Sequence, residues 1–568
     1  MNVDLLGDTD RNGHLDQNDE AGKDQWTQTR GILIPPHEPL SSFSNSIVGM
    51  SQILLRKPLG SVEISGLFLR FHALTSDTKL LLGLATSEGD HLSFDSNNYY
   101  TFTALPTTDT TFYVCSTRVR NEMSESTHPT KLPFAVELVQ NGAVIASNTV
   151  LLTIAPIILP SECNPPEVIY STIDFNIPGV TPVLCTGAAP WTQDMVKFTK
   201  VQTSDTNANL FVDLGHRDVN GFNETLKTTY GTPRIEWPVS GNGGNIMATP
   251  PLPDAPYGKV LVGSHCAETA PEWVGQVIQP VVTVDTSWLY VGHIDESLMW
   301  ASSNTVLYAD PWKAADLLHS EIAAGNWMNK LWCSGGVNAG NNDTNSTIID
   351  VVIAKETGSP NTYKFYYLPQ DMDNSSTNFT LTFSNYVAFV QGDVLRVDNE
   401  ILRVASMNDN NCTVLRAQAG RLPAAHTNRS YVYAYTDLLK ENLPINGQDC
   451  PVTYIQGITN QLQQALGTYL PLYKAVPVLF DHRSLSEPGF LAVTANIANC
   501  LVGFNGKIYY SQPGCQVFNN YMATNLPNAT PIDVWQLLHC QCGEIHCGTA
   551  SQRQLSGAPW WDQVLNWR

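Results

Sequence analysis

The sequence predicts a multidomain chain. An immunoglobulin-like β-sandwich over residues 1–160 comes first. A mixed α/β unit over 165–568 follows, and a small β-rich module at 343–436 is inserted in it. Three observations lead there. The 568 residues exceed what one hydrophobic core usually serves. Alternating apolar and polar runs crowd the first 160 residues, with no long helical pattern. Beyond a proline-rich junction, strand-like and helix-like stretches interleave.

In the first unit, Val62-Glu63-Ile64-Ser65-Gly66-Leu67-Phe68-Leu69-Arg70-Phe71 alternates as a half-buried strand does. Ala135–Val139 and Val150–Ile154 read the same way, and turn residues separate them. Such spacing suits a sandwich. Leu159-Pro160-Ser161-Glu162-Cys163-Asn164-Pro165-Pro166 reads as a linker. After it, Asp310-Pro311 announces a helix, with Asp at the N-cap and Pro in the first turn. Ala314, Leu317, Leu318 and Ile322 share one face of it, and Gly325 closes it. A second helix is expected over 453–466, where Ile455, Ile458, Leu462, Ala465 and Leu466 align. Short strands are expected at Lys259–Gly263 and Pro477–Phe480. Residues 343–436 read almost wholly as strands, a module tolerated in a surface loop because long insertions cost little.

The composition excludes several classes of function. Hydrophobic residues make up 43% and charged residues 15%, so the chain can build large cores and is not a disordered segment. No apolar run reaches the roughly 20 residues of a membrane span. The net charge of −21 repels nucleic acid and anionic membrane and attracts cationic ligands such as arginine-rich peptides. The 12 cysteines show no CxxC pair and no zinc-like spacing. Asn-x-Ser/Thr triplets at Asn223, Asn342, Asn345, Asn374, Asn378, Asn411, Asn428 and Asn528 suggest a secreted glycoprotein. The start, MNVDLLGDTDRNG, lacks the basic and apolar stretches of a signal peptide. The triplets make an extracellular location the expectation, and the start of the chain keeps a cytoplasmic one as the alternative. An oligomer is left open.

Asp8, Asp10, Asn12, Gly13, His14, Asp16 and Asp19 occupy positions 1, 3, 5, 6, 7, 9 and 12 of an EF-hand-type loop. Oxygen donors alternate, with Gly at the sharp turn, although position 12 is Asp rather than Glu. A structural calcium ion is expected there.

Three distant stretches carry the chemistry: Trp191-Thr192-Gln193-Asp194, Gly292-His293-Ile294-Asp295-Glu296 and Gly543-Glu544-Ile545-His546-Cys547-Gly548-Thr549. They offer a thiol, an imidazole and carboxylates. A guanidinium is planar and rich in donors, so paired carboxylates hold it bidentately and preserve its charge. Its carbon is then open to a thiolate, and a histidine serves the departing ammonia and the incoming water. Cys547 is the candidate nucleophile, His293 the acid/base, and Asp194 and Asp295 the clamp.

These segments, in this order, resemble the signature of the peptidylarginine deiminases: Trp-x-Gln-Asp, Gly-His-x-Asp-Glu and Glu-x-His-Cys-Gly-Thr. Gly244-Asn245-Ile246-Met247-Ala248-Thr249-Pro250-Pro251, the tail Ala558-Pro559-Trp560-Trp561 and the stretch Trp26–Gly31 are similar to further segments of that family. The resemblance spans nearly the whole chain outside 343–436, without the family's usual first immunoglobulin-like domain. It implies an α/β propeller of five ββαβ modules, the pentein fold, and hydrolysis of peptidyl-arginine to peptidyl-citrulline and ammonia through a covalent cysteine intermediate. It also implies Trp191 as a wall for the aliphatic stem and Arg217 as a grip on the substrate backbone, although one residue of spacing differs at Arg217. Animal members hold two calcium ions beneath the site. At the matching positions stand Met195, Lys197 and Met247, so the expectation is that the catalytic site needs no calcium. A hydrolase of free arginine or another small guanidino compound, and a catalytically silent propeller that only binds, are the alternatives.

Overall fold

The computed structural model describes residues 3–7, 9, 15–21, 23, 32–34, 51–57, 66–75, 82–86, 90–116, 131–154, 157–174, 176–185, 190–202, 207–214, 221–230, 234–236, 242–266, 277, 279–334, 342–344, 346–358, 362–375, 377–445, 449–482 and 489–556. Sheet dominates. Toward the N-terminus a pair of five-stranded sheets pack face to face. Leu5, Ile53, Leu55, Leu84 and Val114 of one sheet meet Leu69, Phe71, Phe134, Val136, Leu138 and Val150 of the other in one buried cluster. Strand Leu67–Ala73 shows how the pattern produces this: Leu69, Phe71 and Ala73 point inward. On its outer side Arg70 and His72 share Glu137 of the neighbouring strand. Strands Lys131–Gln140 and Ala143–Ile154 are joined by Asn141 and Gly142, both at positive φ (51° and 84°). That is the Asn-Gly chemistry of a two-residue hairpin turn.

The remaining chain repeats one design. Five three-stranded sheets occur among the described residues, each with two antiparallel strands and a third laid parallel to the middle one. The first joins Val196–Gln202, Asn207–Asp213 and Arg234–Glu236. The second joins Ile246–Ala248, Val260–Gly263 and Val281–Val284. The third joins Leu298–Ser302, Thr305–Asp310 and Leu472–Pro477. The fourth joins Leu501–Val502, Ile508–Ser511 and Ala529–Ile532. The fifth is assembled from both ends of this region: Ala550–Arg553 pairs antiparallel with Pro166–Ser171, which pairs in parallel with Val183–Leu184.

Helices carry the crossovers. Phe222–Tyr230 serves the first sheet and Gln516–Asn525 the fourth. The third crossover is long. It holds helix Pro311–Ala323, whose Asp310 accepts the Lys313 N–H as the N-cap motif requires. It also holds helix Pro451–Leu466, which buries Ile455, Ile458, Leu462 and Leu466. Between these two helices sits an antiparallel six-stranded sheet spanning Phe365–Tyr367 to Tyr431–Ala434, with its own core around Leu381, Phe389, Leu395, Leu402 and Val414. One expected strand is displaced. Pro477 ends a strand that begins at Leu472, and a separate short strand runs Phe480–His482. The pattern missed the first because its early residues lie half-exposed at the edge of the third sheet.

Candidate active site

The site is built from the turns that lead into the first strand of each three-stranded sheet. Asp194 lies in the turn Thr192–Met195, directly before Val196. Gly243–Asn245 precedes Ile246, and Ile294–Glu296 precedes Leu298 with a single residue between. Asn496 to Asn499 precedes Leu501, and Glu544 to Cys547 precedes Ala550. A tight turn at a strand entrance projects its side chains past the sheet end, so five such turns can face one centre.

They do converge. One ligand-type atom each from His293, Asp295 and Cys547 lies within 4.8 Å of the others, and all three residues are buried. The Gly243-Gly244 pair permits this approach. A Cβ on Gly244 would stand 2.6 Å from His293 Nδ1 and 3.0 Å from both Asp295 oxygens. A Cβ on Gly543 would stand 2.9 Å from the Trp191 indole and 3.4 Å from Cys547 Cβ, so the indole flanks Cys547. The Gln193 N–H donates to the Cys547 carbonyl at 3.1 Å, tying the first turn to the fifth.

The centre is negative. Burial pushes the Cys547 thiol well above its ordinary range, and the carboxylates of Asp295 and Asp194 push it further. Glu296 is raised to about 8, by burial first and then by Asp295 and Asp194, although its Oε1 accepts the His293 N–H at 3.0 Å. Neither ring nitrogen of His293 nor Asp295 Oδ1 has a hydrogen-bond partner among the described residues. Unpaired buried polar groups are costly. Grouped in a negative centre, they suit a cationic, donor-rich ligand.

Beneath this centre is a layer of compensating charge. His546 hydrogen-bonds Asp295 Oδ2 through Nδ1 at 2.7 Å, and its Nε2 lies 3.6 Å from Glu162. Glu162 also receives Lys197 Nζ at 2.8 Å and Arg553 Nε at 3.0 Å. Burial alone would raise the Glu162 carboxyl, but Lys197, Arg553 and His546 hold it well below the usual range. Burial lowers His546, yet its bonds to Asp295 and Glu162 raise it overall. Lys197 donates further to the Gly243 carbonyl at 3.2 Å, and Met195 and Met247 are each buried. An ammonium and two thioethers do not fit a calcium ion, which takes six to eight oxygen ligands.

Of the residues singled out in the sequence, Cys547, His293, Asp295, Asp194 and Trp191 meet at this centre. Arg217 lies outside the described residues. So do Asp8, Asp10, Asn12 and His14 of the expected calcium loop. Its remaining members form a helical cap. Asp16 accepts the Asn18 N–H, Asp19 Oδ2 accepts the Asp16 N–H, and Asp19 Oδ1 takes the Thr9 N–H and hydroxyl. The Trp560-Trp561 tail is also outside the described residues. The triplet at Asn223 is a correction. Its side chain is fully buried and donates to Asp213 at 2.7 Å, which leaves no room for a glycan. Asn374, Asn378, Asn411, Asn428 and Asn528 are exposed. Eleven of the cysteines, Cys547 among them, carry free thiols. Sequence reasoning gave no role to Asn499, Glu162, His546 or Arg553. The one available signal for Asn499 was Asn496-Ile497-Ala498-Asn499, a turn ahead of a short apolar strand like the other four.

No protein-family model matches the chain, and no curated protein matches it. Among solved structures, the chain is similar to an agmatine deiminase from C. jejuni at 11% identity and a TM-score of 0.30, over 68% of this chain and 78% of that one. It is also similar to a putative arginine deiminase from Porphyromonas gingivalis, at 10% identity and a TM-score of 0.33, over 70% and 98%. A conjugative transposon lipoprotein from Bacteroides eggerthii matches 19% of this chain and 87% of its own, at 14% identity and a TM-score of 0.13. Likenesses this distant leave the functional case to the geometry of the site.

Proposed function

We propose that the protein hydrolyses a guanidinium group, and that the group is the side chain of a peptidyl arginine. The observation that carries this reading is the buried cluster of Cys547, His293 and Asp295 within 4.8 Å, with Asp194 acting on the same thiol. Asp194 and Asp295 bind the cation. Its positive charge offsets the cost of transferring the Cys547 thiol proton to His293, and the resulting thiolate attacks the guanidinium carbon. His293 donates a proton to the departing ammonia, leaving an amidino thioether. It then takes a proton from water, which attacks that carbon and releases the ureido product and the thiol. Trp191 lies along the path of the aliphatic stem. The five like sheets, closed by Ala550–Arg553 on Pro166–Ser171, support reading this region as a five-module propeller of the pentein type. The N-terminal sandwich, taken as immunoglobulin-like, favours a protein or peptide substrate.

His293, Asp295 and Cys547 also offer nitrogen, oxygen and sulfur close enough for a soft divalent cation. One assay separates the readings: ureido product from a blocked arginine peptide, free arginine and agmatine, each with and without excess chelator. We expect turnover of the peptide, insensitive to chelator, and none from Cys547→Ala. Retention of activity within a few-fold in Cys547→Ala would overturn the nucleophile. Faster turnover of free arginine would overturn the peptide substrate. Asp194→Asn and Asp295→Asn should each cost about 2–5 kcal/mol of transition-state binding, the usual loss when one member of a buried charge pair is removed.

A further inference from the structure

We propose that Asn499 is a further catalytic residue: its carboxamide donates to the Cys547 sulfur and holds it as the reactive thiolate. The proposal rests on Cys547 being the nucleophile.

Asn499 enters from the fourth turn, which otherwise contributes nothing to the chemistry described above. Asn499 Nδ2 lies 3.1 Å from Cys547 Sγ, a close approach for nitrogen to sulfur. Asn499 Oδ1 lies 3.3 Å from the Cys547 backbone nitrogen. The second contact fixes the first. A backbone N–H can face only an acceptor, so the amide oxygen must turn to the Cys547 N–H and the NH2 to the sulfur. The side chain is 1% exposed, so no water competes for these bonds. The turn is itself anchored. Asn496 accepts the Ala498 N–H and donates to the Glu296 carbonyl at 2.8 Å, and its own N–H meets Glu544 Oε1 at 2.7 Å. Asn499 is thus positioned by the turns that carry Glu296 and Cys547.

The need for such a donor follows from what faces the sulfur. Asp194 comes from the first turn, and His293 and Asp295 from the third. The carboxylates that bind a cation are the groups that oppose an anion on sulfur, and burial adds to their effect. A neutral amide donor stabilises the thiolate without adding a positive charge that would repel the guanidinium. Lysine or arginine at this position would lose that advantage.

The test follows alkylation of Cys547 by iodoacetamide against pH, read by peptide mass mapping, beside kcat and KM on a blocked arginine peptide. Asn499→Ala removes both bonds. Asn499→Asp keeps an acceptor for the Cys547 N–H, so the turn stays in place, and it replaces the donor with a carboxylate. We expect both variants to shift the alkylation profile upward by about one pH unit or more, since hydrogen bonds to charged groups are worth roughly that much. At neutral pH, alkylation and kcat should fall about tenfold and recover on the alkaline side, with KM within about twofold of wild type. If Asn499→Ala does not fold, Asn499→Asp decides. A wild-type alkylation profile in a folded Asn499→Asp protein that still turns over the peptide overturns this inference and leaves the proposed function standing. A shifted profile in a protein that turns over no guanidino compound sustains the inference and overturns the proposed function.

Discussion

Glu296 shows most directly that the centre is suited to positive charge. Its carboxyl is raised to about 8, so it is largely neutral at pH 7. A guanidinium bound beside Asp194 and Asp295 reverses that balance and ionises it. Binding to the Cys547→Ser protein should therefore release protons near pH 7, visible as a dependence of calorimetric heat on buffer ionisation enthalpy. Proton release confined to below pH 5 would show that Glu296 does not sense the ligand. The same group affects stability. A folded pKa above the unfolded one stabilises at low pH, and that contribution is lost as pH climbs toward about 8. Glu296→Gln, a fixed mimic of the neutral acid, should show a smaller fall in denaturant midpoint between pH 5 and pH 9 than wild type.

At the scale of the element, the strand-entry turns demand residues that the strands do not. Gly244 is required by space: any Cβ there meets His293 and Asp295 at 3.0 Å or closer. Gly244→Ala should therefore lower kcat/KM by about a hundredfold, the order expected when reacting groups are displaced by about an ångström. Far-ultraviolet circular dichroism should stay unchanged. Gly457 is the contrasting case. It lies on the exposed side of helix Pro451–Leu466, with nothing within 4 Å of where a Cβ would go. Gly457→Ala should raise stability by about 0.5–1 kcal/mol in denaturant titration, through helix propensity alone. The turns also explain what the sequence made legible. Cys547, His293, Asp295 and Asp194 could be read because a thiol, an imidazole and carboxylates name their chemistry. Asn499, Glu162 and Arg553 could not, since amides and ion pairs occur everywhere and only spatial proximity gives these a role. The fivefold pattern stayed hidden for a related reason. Its turns read Thr-Gln-Asp-Met, Gly-Gly-Asn, Ile-Asp-Glu, Ile-Ala-Asn and Ile-His-Cys, alike in position but different in composition, because each supplies a different group. The helices at 311–323 and 451–466 were legible because each carries its own cap and apolar face.

Across the whole molecule, the buried ion cluster joins the site to the closure of the five sheets. Arg553 meets Glu162 and also donates to the carbonyls of Asn164 and Val502 at 2.8 and 2.9 Å. Arg553→Met should cost about 3–5 kcal/mol, because it leaves Glu162 buried with fewer partners. Thermal unfolding checks this, and Lys197→Met should behave similarly. Chelation separates the two metal expectations. If the N-terminal loop binds calcium, excess chelator lowers Tm by mass action, while turnover at moderate temperature is expected to be unchanged. Loss of turnover restored by calcium, with circular dichroism unchanged, would show that other oxygen donors complete a catalytic ion site.

The pairing of Ala550–Arg553 with Pro166–Ser171 also has a consequence in time. Ser171 donates to the Gly548 carbonyl, and Gln193 to that of Cys547, so the turn that carries Cys547 is held by residues made far earlier. A ribosome adding about 5–20 residues per second finishes the early strands tens of seconds before it reaches Cys547. Through that interval the first sheets and both aspartates exist without Cys547. If the protein acts as proposed, a nascent chain cannot modify arginines on its own ribosome or on neighbouring chains. On that reading, the site is complete only once translation has delivered Ala550–Arg553.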